Sequence, residues 1–185
     1  MWSKLAWDAD VYRDVQVGYP NENQPLAYAA INVCIAATSL RDWVASEVAR
    51  QARAGGLKFD EKAHLAAMYA AVPEQALCEA IANTAKHARH RDGDWPGGEV
   101  RLEWEEGDED CPPGYMLHHL NGNGQGGGLA VNTFEALCGN WWNLLKALDL
   151  AKDQQRTPEW QQNKLRRIFG DLDDLALPAG CVPVK

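Results

Sequence analysis

From Leu26 to Ala37 apolar residues crowd every side of a helical projection: Leu26, Ala27, Ala30, Ile31, Val33, Cys34, Ile35 and Ala37. The run opens with Pro25 and meets no Gly or further Pro until Gly55-Gly56, which predicts one long helix to about Arg53. At 1.5 Å per residue it spans roughly 40 Å. A helix apolar nearly all round is a central one, with other helices packed on several of its sides. Before it, residues Lys4 to Gln16 read as a helix stopped by Gly18 and Pro20. After it, Asp60 is placed to cap a helix over Glu61 to Ala71. Pro73 restarts a helix to about Arg91, with Leu77, Ala80, Ile81, Thr84 and Ala88 as its inward stripe.

The period then switches from 3.6 to 2. Val100, Leu102 and Trp104 alternate with Arg101, Glu103 and Glu105, the pattern of a half-exposed strand. Tyr115 to Leu120 reads as a second strand, and Leu129 to Val131 as a short third one beyond the glycine-rich turn Gly122 to Gly128. Asn132 and Glu135 form a capping-box pattern for a helix whose face is Phe134, Leu137, Cys138, Trp141, Leu144, Leu145 and Leu148. Thr157-Pro158 opens a shorter helix to about Phe169. The predicted fold class is mainly α: a helical bundle with a small antiparallel β insertion at about residues 99–131. One domain is expected over residues 1–170, followed by a loosely attached tail over 171–185.

Composition changes this picture in three places. The chain has 185 residues, 46% of them hydrophobic and 24% charged, which suits a globular protein with one core and excludes a fibre or wholesale disorder. Its opening residues lack the charged start and apolar run of a secretory signal, and no apolar stretch is long enough to span a bilayer, so the expected location is the cytoplasm, with no membrane partner. The five cysteines include no Cys-x-x-Cys pair and read as reduced thiols.

Charge is the second informative feature. Of a net −8, the segment Glu99 to Asp110 contributes −6: seven acids against Arg101. The remainder is near neutral, which argues against a broad footprint on duplex DNA. Glu105, Glu106, Asp108 and Glu109 are therefore candidate residues for binding a basic partner, the alternative being a merely solvated face. Half of the aromatic residues are Trp, and Trp142, on the flank of its helix stripe, is a further candidate contact residue; Trp95, beside Pro96, is the other Trp expected to be exposed.

Candidate chemistry lies on two helices. A turn of about 100° per residue puts Asp42 on the line of Ile31, Ile35, Thr38, Ala45 and Ala49, so it is expected to point inward and to need a partner such as Arg41, Lys86 or His87. Asn83 and His87 lie one turn apart at the border of their helix's apolar stripe. Arg41, Asp42, Asn83 and His87 thus outline a polar cleft, or else a hydrogen-bond network that fixes helix register. Cys111 with His118 or His119 has no recognised zinc spacing, and adjacent strand residues face opposite ways, so no metal and no cofactor is expected. The glycine-rich turn lacks the Lys and Thr of a P-loop.

The segments Ala29 to Trp43, with Ser39-Leu40-Arg41-Asp42-Trp43, and Cys78 to His87, with Ala82-Asn83-Thr84-Ala85-Lys86-His87, resemble the two core helices of bacterial proteins related to the HEPN superfamily. That superfamily of small helical bundles is common in toxin-antitoxin, CRISPR and other phage-defence systems. Its catalytic members cut RNA without metal, using an Arg followed a few residues later by His. No Arg here has a His four to six residues on. The resemblance therefore implies the fold and a non-catalytic binding or assembly component of a bacterial defence or mobile-element system. Its partners would be proteins, a second copy of the chain among the arrangements. One alternative is a metal-independent ribonuclease, with RNA as substrate, His87 as general acid or base, Asn83 orienting phosphate and Lys86 or Arg89 stabilising charge. Another is an acidic inhibitor or antitoxin-like protein that covers a basic partner.

Overall fold

A computed structural model describes residues 1–87, 98–108, 113–121, 126–152 and 155–169. They fall in two compact units, Met1–Lys152 and Asp153–Lys185. The first holds five helices and a sheet: α1 (Trp2–Gly18), α2 (Asn23–Ala54), α3 (Glu61–Ala71), α4 (Gln75–His87), β1 (Gly98–Glu105), β2 (Gly114–Asn121), β3 (Gly126–Leu129) and α5 (Ala130–Ala147). The second contributes α6 (Glu159–Phe169), whose last turn carries Arg166 and Arg167, where cations suit the helix dipole. The predicted tail and residues 88–97, which include Trp95, lie outside the described residues.

Helix α2 is the axis of the bundle, with α1 and α4 packed along it, α3 against its flank, and α5 against α1 and α3. Its buried arc runs through Leu26, Ala29, Ala30, Val33, Cys34, Ala37, Leu40 and Val44. Opposite it α4 buries Gln75, Cys78, Ala80 and Ala82. Cys34 of α2 meets Cys78 of α4, and small buried residues on both helices, Ala30, Ala37 and Ala82 among them, leave no room for bulkier side chains without repacking. Thr38 and Ser39 are accommodated in the centre of α2 because each hydroxyl donates to the carbonyl one turn back, on Cys34 and Ile35. Phe134, Leu137, Trp141 and Leu145 of α5 close the core, with Tyr12 of α1 edge-on to Phe134 at 5.0 Å.

Several boundaries have simple causes. Asp60 accepts a hydrogen bond from the Ala63 amide at 3.0 Å and so starts α3 where expected. Helix α2 stops at Gly55, and Gly56 takes φ +70°, a conformation open to glycine without strain. Helix α5 begins at Ala130, two residues before the predicted capping box, so Asn132 lies within its first turn and Glu135 instead pairs with Arg13 of α1. The sheet is antiparallel in the order β1-β2-β3, with a register shift between His119 and Leu120. Gly126 to Gly128, predicted as turn, supply most of β3. The hairpin is tied to the α1–α2 connection by the Tyr115 amide, which donates to the Pro20 carbonyl at 2.8 Å.

Asp42 does not point inward. Nine residues at about 100° each carry it half a turn from Val33, the centre of the buried arc, so it projects to solvent with its side chain 64% exposed. The line through Ile31, Ile35, Ala45 and Ala49 is the half-buried back of the helix. Because the first half of α2 is apolar all round, its sequence pattern does not select between the two faces.

Candidate functional site

Two polar constellations stand out in the first unit. One crosses the bundle. The Glu79 carboxylate of α4 receives the Arg41 guanidinium of α2 at 2.6 Å, the Tyr69 hydroxyl of α3 at 2.7 Å and the Gln75 amide at 3.1 Å. The Gln75 carbonyl in turn accepts the indole N–H of Trp141 on α5 at 2.8 Å, and both of these side chains are fully buried. Beside it Glu74 accepts the Asn140 amide at 3.0 and 3.2 Å. The network thus joins α2, α3, α4 and α5.

Its electrostatics are those of a closed circuit. Burial works against the Arg41 charge, but the hydrogen bond to Asp42 together with Glu79 and Tyr69 more than offsets this, and the guanidinium pKa rises. Burial first, then donation to Glu79, raises the Tyr69 pKa against the opposing pull of Arg41. The groups satisfy one another, which suits a register lock between helices rather than a ligand cleft. The nearby Cys78 thiol is pushed well up by its contact with Cys34 and by complete burial, which makes it an unreactive packing group.

The cleft expected from Arg41, Asp42, Asn83 and His87 is accordingly not assembled as drawn. Helices α2 and α4 do pack together, but Asp42 pairs with Arg41 on the outer surface at 2.7 Å while Arg41 turns toward Glu79. Asn83 is half-buried, and the side chains of Lys86 and His87 lie outside the described residues. Trp142, expected to be exposed, is partly buried against the core with its ring 5.3 Å from that of Trp2. Sequence pattern placed it on the stripe's flank, and Trp2 of α1 covers that flank. The exposed Trp rings described here are Trp7, Trp43 and Trp104.

The second constellation is on the sheet. Strand β1 is an edge strand, and Arg101, Glu103 and Glu105 all face solvent. The row runs on into Glu106 and Asp108, also exposed, as expected; Glu109 lies outside the described residues. Leu102 is half-buried against the core beside Leu117, whereas Trp104 on the same side is 41% exposed and rests edge-on against Tyr115 at 5.3 Å. Across the strands His118 is the register partner of Arg101 and therefore shares its face. The His118 Nε2 stands 2.9 Å from Glu105 Oε1, and donor atoms from Glu103, Glu105 and His118 lie within 4.8 Å of one another. Sequence reading set His118 beside Cys111 and missed this grouping, because its members meet only through the β1–β2 register. Alternate acids on one strand followed by a His on the next are the signal that pointed to it.

No helix among the described residues is long and apolar enough to cross a membrane. No protein-family model, curated protein or solved structure matches the chain.

Proposed function

We propose that this protein is a non-catalytic binding component that docks a basic surface of a protein partner through the acidic edge of β1, in the bacterial defence or mobile-element setting that the HEPN resemblance implies. The observation that carries the reading is the run of same-sign, exposed side chains Glu103, Glu105, Glu106 and Asp108 along and just beyond β1, whose outer edge is unpaired among the described residues, with the exposed Trp104 on the strand's other face. Guarding an edge against aggregation takes a few charges, often Lys, without a run of one sign. The acids supply charge steering, and the exposed Trp104 on the strand's other face adds an apolar contact at the same edge. Against ribonuclease chemistry, no Arg in the sequence stands four to six residues before a His, the spacing that the catalytic members of that superfamily use.

The test uses the full chain. A basic partner recovered by pull-down and mass spectrometry should associate several-fold more slowly at low salt with the E105Q/E106Q/D108N/E109Q variant, whose circular dichroism should match the parent. An on-rate indifferent to both the substitutions and ionic strength refutes the docking edge. RNA cleavage that survives chelator and is lost in His87→Ala replaces the proposal with the ribonuclease reading.

A further inference from the structure

The same sheet face contains a donor set that docking does not require. Alternation along β1 brings Glu103 and Glu105 to one side, and the antiparallel register brings His118 to that side from β2. One carboxylate oxygen from each Glu and one ring nitrogen lie within 4.8 Å of one another, close enough for small side-chain rotations to gather them round one ion.

The ring nitrogen supplies a second, independent observation. Its Nε2 is shut off from solvent and makes no hydrogen bond, although Glu105 Oε1 is only 2.9 Å away. The carboxylate is close enough for an ion pair but lies outside the direction in which the ring N–H would donate. An enclosed, unsatisfied ring nitrogen is costly.

We propose that Glu103, Glu105 and His118 form a binding site for a first-row divalent cation, zinc or the harder manganese(II), with its remaining positions open to water. One imidazole and two carboxylates form a mixed set that suits these ions better than magnesium, which prefers all-oxygen surroundings and gives up its water reluctantly. The field favours the cation, since Glu106 and Asp108 extend the negative row. Arg101 opposes it: its guanidinium is 3.8 Å from Glu103 and must swing aside when the ion enters.

The experiment titrates partner-free protein, so its outcome is independent of the docking reading. Zinc chloride in calorimetry should bind one ion per chain, at least tenfold more weakly in His118→Ala and in Glu105→Gln, and unchanged in Glu61→Gln, which lies on α3 away from the sheet. Substoichiometric manganese chloride should broaden the His118 ring resonances before those of the other histidines, while magnesium chloride in equal amount leaves them unaltered. Zinc binding as tight in both His118→Ala and Glu105→Gln as in the parent, or no saturable binding at millimolar zinc, overturns the proposal. Variants whose circular dichroism departs from the parent are replaced by His118→Gln and Glu103→Gln, judged by the same tenfold criterion.

Discussion

Replacing Glu79 with Ala tests whether the bundle network is a structural lock. The substitution removes one acceptor group and strands three donors. The Gln75 amide is wholly buried and loses its partner, which costs about 1 to 3 kcal/mol. Arg41 keeps Asp42 and is 23% exposed, so its loss falls well below the about 3 to 5 kcal/mol of a fully buried orphaned charge. The Tyr69 hydroxyl is only half-buried and can turn to water, adding little. Together these give about 3 kcal/mol, or a fall of about 6 to 12 °C in Tm for a domain of this size. Urea unfolding followed by circular dichroism should show a lower midpoint with an unchanged slope. Arg41→Met combined with Glu79→Gln should cost less than the sum of the two singles by about 1 to 2 kcal/mol, as partners in one network do. Asp42→Ala, which removes only an exposed ion-pair partner, should cost under about 1 kcal/mol. If Glu79→Ala costs under about 1 kcal/mol, or the double variant is additive, the network is not a lock and the reasoning from its satisfied groups is wrong.

Two further outcomes follow from buried groups elsewhere. The Tyr12 hydroxyl is buried without a hydrogen-bond partner, so Tyr12→Phe should be neutral or stabilising by up to about 1 kcal/mol. Burial raises the Tyr12 pKa, so above pH 10 the unfolded chain loses that proton first; stability then declines as pH rises, and urea midpoints at pH 8 and pH 10.5 should show a shallower decline in the variant. Gly114→Ala would set a Cβ 2.8 Å from the Pro20 Cβ and 3.2 Å from its carbonyl oxygen, costing about 1 to 3 kcal/mol. Faster hydrogen exchange at the Tyr115 amide, which bonds that carbonyl, should accompany the loss, and an unchanged rate would show that the contact does not anchor the hairpin.

The fold was legible wherever pattern and punctuation agree. Asp60 and Gly55-Gly56 bound helices because cap chemistry is local, and the strict alternation from Leu102 to Glu105 identifies a strand because period 2 has no helical counterpart. Direction was legible where only one face is apolar, as in α5, whose predicted stripe is the buried one. It failed in α2 and α4. In α2 the apolar residues encircle the helix; in α4 Gln75 is fully buried and Leu77 only partly, because a hydrogen bond from Trp141 makes the amide a better core residue than its hydropathy implies.

The candidate sites divide along the same line. The acidic row of β1 is visible in sequence because it is contiguous, and its solvent exposure follows from alternation alone. The pairing of Arg41 with Glu79 and the gathering of His118 with Glu103 and Glu105 depend on helix azimuth and strand register, which are set by packing across the whole unit. Strand register carries the stronger constraint. A slip of one residue in β2 would carry His118 to the opposite face and take both Met116 and Leu117, 7% and 5% exposed on the strand's two faces, out of their packing sites, so the burial of this pair holds the histidine on the acidic side. The hydrophobic residues and the cation ligand are thus coupled through the pleat. Replacing Leu117 with a polar residue would weaken the core and, by loosening the register, the donor set as well.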